Sequence, residues 1–480
     1  MPSNGPEDHS LWITRQIGLW ESHFFGNLEP TSNCNIVINT CLRTEYLDPA
    51  KVELAYKALI YNQPNFRADV IKREEDGGIY FTPATDFSNV FHFIDQSDAD
   101  DGVTGYTACW DLAEHLANKP FTFGTGSPLH RCYLVKRPDC YILINQYHHG
   151  IADGTSGFRV INEILRQYDL IVSGKGADLN PAPVLRSVGE MAQFAQNDEV
   201  VDKMIEERVE RAKVQKILLP PHWNEVAKSR AKVSFVNRTL SAVGTQKGMQ
   251  RLRTLCRENE ITVGAYSFAV QFFAVAAVHI RRNGGVFPEE GLPTLYTDTV
   301  ADLRTRLVPC PGDCIMLCIA ETWIKAKIEP GTSLLDIAKD IALQLQNCFT
   351  EQRFPLFQGS YQDKLKTSPH NQLLSSLPEG SYCDVFPSNQ LVFKYPTHYT
   401  WGEVSSIHSL GSYWCPSFVN RCLLYHCVNG VMNYSIVCCD GPENIKDTQE
   451  VLDLFFEFME CADKVTGSTN VMDFVRCFHC

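Results

Sequence analysis

The chain is short of positive charge. Its 43 Lys and Arg residues stand against 56 Asp and Glu, giving a formal net charge of -13. A nucleic-acid binder needs a broad basic face, and this balance disfavours that class while leaving room for a local basic pocket. The opening residues, Met1 to His9, lack a basic stretch followed by an apolar core, so no secretory signal peptide is expected. Internal repeats and low-complexity tracts are missing. The 19 cysteines are odd in number and scattered. That pattern suits buried thiols of a reducing, cytoplasmic compartment better than a disulfide framework. Cys310, Cys314 and Cys318 lack the close pairing or nearby His of a metal site, so none is expected there. The tail Cys477-Phe478-His479-Cys480 has a cysteine fourth from the end, but His479 is a poor aliphatic substitute, and an unmodified tail is expected.

Long apolar runs are also scarce. Only residues 261–280 could imitate a membrane span, and that run carries Gln271 at its middle. A helix apolar all round is equally what the centre of a large domain contains, and the buried helix is the reading adopted.

What is present fits a large globular protein. The 480 residues include 44% hydrophobic and 21% charged residues, enough for two or three domains. Strand patterns at 34–40, 65–71, 129–135 and 141–146 surround helix patterns beginning at Asp48-Pro49 and spanning 155–170. Residues 176–233 hold Pro181, Pro183, a charged helical stretch and Pro220-Pro221, which reads as a crossover linker between domains at 1–175 and 234–480. Beyond it, strands at 234–240, 294–300, 314–322, 419–428 and 430–438 alternate with helices at 245–258, 261–280 and 447–462. The class is α/β (α+β).

The segment richest in chemistry is Tyr147-His148-His149-Gly150-Ile151-Ala152-Asp153-Gly154. It follows an apolar strand and precedes a helix, where α/β folds present reactive side chains. A histidine there can serve as a neutral base near physiological pH. Asp153 can lock the loop through a distant cation, and Gly150 and Gly154 permit turns and close approach. Adjacent side chains on a strand end point apart, which weakens a metal reading. No His-Glu-x-x-His is present nearby, and Gly154-Thr155-Ser156-Gly157 is one residue short of a serine elbow.

His148-His149-x-x-x-Asp153-Gly154 resembles the HHxxxDG motif of the acyltransferase superfamily with the chloramphenicol acetyltransferase fold. That superfamily includes BAHD acyltransferases, alcohol acetyltransferases and condensation domains. Arg15-Gln16-Ile17-Gly18-x-x-Glu21 is similar to the opening of alcohol acetyltransferases, and Val300-Ala301-Asp302-Leu303-Arg304 to the V-x-[ND]-x-R strand of the second domain. Ser388-Asn389 resembles an element near the active-site channel. The DFGWG signature of BAHD enzymes is absent, which points toward the alcohol acetyltransferase branch. No carrier or adenylation domain accompanies the chain, so an embedded condensation domain is not expected.

The resemblance implies two chloramphenicol acetyltransferase-like domains, each a mixed sheet flanked by helices, with an active-site tunnel between them. It implies His149 as general base, Asp153 paired with Arg304, a structural His148, and Gly154 keeping the channel open. Ser388 and Asn389 are either oxyanion donors or turn residues. The implied co-substrate is acetyl-CoA or another acyl-CoA, with no permanently bound cofactor. The acceptor would be a terpenoid, fatty or other small alcohol, and the enzyme a monomer without a transmembrane span. Two alternatives stand beside it: a stand-alone condensation enzyme using a carrier-protein thioester, and a non-catalytic binding protein on the same fold.

Overall fold

The computed structural model describes residues 13–25, 34–99, 102–192, 197–214, 216–219, 236–354, 364, 383–412 and 421–477. In chain order the strands are β1 (Asn35–Arg43), β2 (Ala68–Lys72), β3 (Ile79–Pro83), β4 (Phe91–Asp95), β5 (His130–Lys136), β6 (Tyr141–His148), β7 (Asn237–Val243), β8 (Leu295–Asp302), β9 (Ile319–Ala326), β10 (Phe386–Val392), β11 (His398–Tyr399), β12 (Gly402–Ser412), β13 (Arg421–Val428) and β14 (Val431–Cys439). The helices are α1 (Leu19–Phe25), α2 (Pro49–Asn62), α3 (Trp110–Asn118), α4 (Gly154–Val172), α5 (Val188–Met191), α6 (Asp198–Val214), α7 (Gln246–Glu258), α8 (Val263–Arg282), α9 (Leu334–Thr350), α10 (Pro442–Glu460) and α11 (Val471–Arg476).

Contacts divide the chain into two units. The first holds Met1–Gln193, Asp302–Ile319 and Val392–Ser412; the second holds Phe194–Ala301, Ala320–Leu391 and Tyr413–Cys480. This division departs from the expected split in chain order, because two later segments join the first unit. Strand pairing explains one of them: β12 runs antiparallel along the whole of β1. The hydrogen bonds of 302–318 around Asp153, described below, explain the other. Within the expected linker, α5 belongs to the first unit and α6 to the second. Residues 220–235, with Pro220-Pro221, lie outside the described residues.

The first unit is built on a six-stranded mixed sheet of order β11-β12-β1-β6-β5-β4, antiparallel except between β4 and β5. Every residue of β6 is buried, as for a central strand covered on both faces. Helix α4 packs Phe158, Ile161, Ile164 and Leu165 inward, an i, i+3, i+6, i+7 stripe. Gly157 lets it approach closely, since a Cβ there would sit 2.5 Å from the Tyr147 hydroxyl and 3.0 Å from Ile38.

The second unit contains a four-stranded sheet, β10-β13-β14-β7, and a two-stranded ribbon of β8 and β9. Helix α8 is the apolar run noted in the sequence. It is long and apolar enough to cross a membrane, yet 83% of that window is buried inside the protein. Gln271 at its middle donates to the Val385 carbonyl at 2.8 Å, which satisfies part of the amide without water. Thr262 caps the helix by accepting from the Ala265 N–H.

Four local expectations need correction. Pro64–Arg67 is a 3-10 turn, and the strand expected from 65 begins only at Ala68. Residues 314–318 are irregular rather than a strand, because their backbone groups are committed to side chains of the first unit. The last long helix opens at Pro442, not near 447, with the proline at N1 where its missing N–H costs nothing. Ser388 and Asn389 are not turn residues: both lie on β10.

Candidate active site

The polar centre of the first unit forms where β6 runs out and α4 begins. His148 is the last residue of β6 and Asp153 is the N-cap of α4, so five residues reverse from strand to helix. The reversal is fixed by backbone bonds. The N–H groups of His148, His149 and Ile151 donate to the carbonyls of Leu129, Cys34 and His148 at 3.0, 2.7 and 3.1 Å.

Asp153 is fully buried and its carboxylate is well supplied with donors. Oδ1 accepts from Arg304 Nη2 at 2.9 Å and from the Ser156 N–H at 2.8 Å; Oδ2 accepts from the Cys318 N–H at 2.8 Å. Burial alone would raise this carboxyl, but Arg304 and the two N–H donors overcome it and hold the group below the usual aspartate range. Arg304 is held in turn. Its Nη2 also donates to Ser156 Oγ and the Met316 carbonyl, and its Nη1 to Asp302 Oδ1. The expected Asp153–Arg304 pair is therefore present. Arg304 lies in the first unit, however, rather than in a separate second domain.

His149 sits at the hub of the turn with 7% of its surface exposed. Burial pushes its imidazole down to about 4, and His23 acts in the same direction. A hydrogen bond to its own backbone and the Asp153 charge act the other way. The ring is consequently neutral at pH 7 and able to accept a proton. His148 has a different setting: its Nδ1 accepts from the Gly150 N–H at 3.1 Å, which leaves Nε2 as the protonated nitrogen of the neutral ring. Gly154 is the first residue of α4. Gly150 is where close approach matters, because a Cβ there would lie 2.4 Å from the Phe25 ring.

The thiols nearest this turn are poor nucleophiles. Burial pushes Cys34 up to about 12 and raises Cys318 further. Among the described residues no group of three His, Cys, Asp or Glu side chains is placed to hold a metal ion. Ser388 and Asn389 belong to the second unit, where Asn389 Nδ2 lies 3.4 Å from the Cβ position of Gly264.

Sequence reasoning missed the aromatic contribution of α1. Phe24 stacks on His149 with centroids 4.3 Å apart, and Phe25 stacks on His148 at 4.6 Å. The signal was the run Trp20-Glu21-Ser22-His23-Phe24-Phe25, dense in rings beside the Arg15–Glu21 motif. Ser156, which bridges Arg304 to Met316, was also missed.

With the geometry in hand, the chain can be set beside known proteins. The condensation domain family model matches residues 7–276. No curated protein sequence matches the chain. Trichothecene 15-O-acetyltransferase TRI3 from Fusarium sporotrichioides superposes with a TM-score of 0.66 at 12% identity, covering 93% of this chain and 98% of that one. Polyketide synthase associated protein 5 from Mycobacterium tuberculosis gives a TM-score of 0.60 at 16% identity, with 94% and 99% covered. A mutant starter condensation domain of rhizomide synthetase RzmA, in complex with C8-CoA and Leu-SNAC, gives 0.65 at 15% identity, with 96% of both chains covered. At these identities the likeness speaks to the fold.

Proposed function

The chain belongs to the condensation-domain family, and we propose that it is an acyl-CoA-dependent O-acyltransferase with His149 as its general base. The observation that carries the proposal is a buried imidazole, neutral at pH 7, on a turn locked by Asp153 and Arg304. The fold shared with an O-acetyltransferase and with a domain crystallised with C8-CoA supports the choice of donor.

His149 takes the proton from the acceptor hydroxyl as its oxygen attacks the thioester carbonyl carbon. The tetrahedral intermediate collapses with cleavage of the carbon–sulfur bond, and the imidazolium returns the proton to the thiolate. The products are an ester and free CoA thiol, and no acyl-enzyme forms. This suits a protein whose described cysteines are free and mostly buried. Asp153 and Arg304 act by holding the turn; they do not exchange protons with substrate. In this reading the donor is acetyl-CoA and the acceptor a small or lipophilic alcohol. The enzyme works as a cytoplasmic monomer.

The test is thiol release from acetyl-CoA and longer acyl-CoAs with a panel of terpenoid, fatty and small alcohols. Release should require an acceptor and vanish in His149→Ala. A second reading, ester or amide formation from a carrier-protein thioester, is favoured by the family model itself. It gains if acyl-carrier thioesters are consumed and acyl-CoA is not.

A further inference from the structure

Next to the motif turn lies a helix that the proposed mechanism does not use. Helix α1 is only seven residues long, yet it is firmly anchored. Glu21, 1% exposed, pairs with Arg15 at 2.5 Å and accepts from the Gly18 N–H at 2.8 Å. Arg15 and Ile17 are themselves tied by backbone bonds to β3, through Phe81 N–H to the Arg15 carbonyl and Ile17 N–H to the Ile79 carbonyl. Trp20 is buried, and Phe25 is completely buried against His148 and the bare backbone of Gly150. The clasp before it and Phe25 after it fix where Phe24 goes.

Resting on the acyl-transfer reading, we propose that Phe24 is a positioning residue for the base: its ring lies flat on the His149 imidazole, sets the imidazole's orientation and keeps water from that face. The rings are 4.3 Å apart at centroid and 18° from parallel, a face-on stack. Trp20 and His23 back the Phe24 ring from the side, edge-on at 5.3 and 5.6 Å. The His149 backbone is pinned by the Cys34 carbonyl, so a flat wall on one side leaves the side chain little torsional freedom. Phe25, whose role is packing, is fully buried, whereas Phe24 is only partly so. A ring kept in partial contact with solvent so that it can cover a histidine is arranged for that histidine rather than for the core.

Two effects follow. The acceptor meets the imidazole at its ring edge, where the nitrogen lone pair lies, and the stack fixes the direction in which that edge is presented. The Phe24 ring also replaces water that would solvate an imidazolium, in keeping with a base depressed by burial to about 4. The titratable groups that act on His149 are His23 from α1, which disfavours its protonation, and Asp153 at the start of α4, which favours it.

The test compares wild type with Phe24→Leu, Phe24→Met and Phe24→Tyr, each first shown folded by its thermal unfolding midpoint. The His149 imidazole is titrated by NMR in histidine-labelled protein, with its signal assigned through His149→Gln. Loss of the ring in the Leu and Met variants should raise its midpoint by about one pH unit or more toward the ordinary histidine value. It should also lower kcat about tenfold, with KM for acyl-CoA little changed. Phe24→Tyr, which keeps the ring, should restore both. Leu and Met variants that titrate and turn over like wild type overturn the inference. Absence of acyl transfer in wild type would sink the proposed function instead, and the NMR titration would still decide whether Phe24 governs the imidazole.

Discussion

Two buried aspartate–arginine pairs, one in each unit, look alike by geometry and differ in what surrounds them. Asp153 with Arg304 and Asp298 with Arg211 are both nearly sealed from solvent, with no side chain more than 5% exposed. Arg211 holds Asp298 by two parallel bonds of 2.6 and 2.7 Å, the stronger fork of the two. Arg304 gives Asp153 a single nitrogen, and two backbone N–H groups complete the site. The first arrangement fastens α6 onto β8. The second converges a helix N-terminus, the segment 316–318 and a lone arginine on the turn that carries His149. A buried ion pair is weak evidence of function by itself, because removing one partner is costly wherever it sits. What separates the pairs is whether the fastened backbone bears a reactive group.

The largest expected effects would separate them. Asp153→Ala should destabilise the fold by about 3–5 kcal/mol, since it removes the buried carboxylate of the pair and leaves Arg304 with the more exposed Asp302 as its carboxylate partner. It should also reduce kcat of the remaining folded protein by about a hundredfold or more, because the His149 turn loosens. Asp298→Ala should cost similar stability but leave kcat of the folded fraction nearly unchanged. Urea unfolding followed by activity measured per folded molecule makes the comparison. It breaks if both variants lose activity alike.

The pH dependence sharpens the contrast. Asp153 has a folded pKa below its usual 3.8, so its contribution is complete above that pH and is lost as pH falls through the lower folded value. Beside Asp298, Glu321 is raised from 4.5 to about 7 by burial and then by the Asp298 charge. A raised carboxyl acts with the opposite sign: its stabilisation is full below 4.5 and is lost as pH rises through about 7. Glu321→Gln should therefore stabilise the protein at pH 8 relative to pH 4.5, by about 1–3 kcal/mol on the linkage scale. Equal shifts at both pH values would show that Glu321 titrates normally.

Smaller effects belong to the turn's packing and thiols. Gly150→Ala must displace Phe25 and should cost about 1–3 kcal/mol, read from the thermal midpoint. Cys34→Ala should leave kcat within about threefold, because catalysis by a histidine base needs no thiolate there. A large loss would reopen covalent catalysis.

Much of this was legible in the sequence. β6, α4 and α8 announce themselves by unbroken apolar runs or a clean helical stripe, and the motif between β6 and α4 names its own residues. The Asp153–Arg304 pair was reachable only through family resemblance, because 151 positions separate its members. β12 escaped for a physical reason. A bulge opposite Cys41 and Leu42 places Val404 and Ile407 three apart, which hides the two-residue period of a strand. Residues 314–318 look apolar enough for a strand, but their backbone groups serve Asp153, Ser156 and Gln63. The stack of Phe24 on His149 joins a short N-terminal helix to a turn 125 positions away, and no local pattern reports such a contact.

The most direct measurement is acceptor-dependent thiol release from acyl-CoA by wild type and His149→Ala at matched folded concentration. The account predicts release in wild type and a loss of about 10²–10⁴-fold in the variant, the range of a general base. Equal release by both proteins would contradict it.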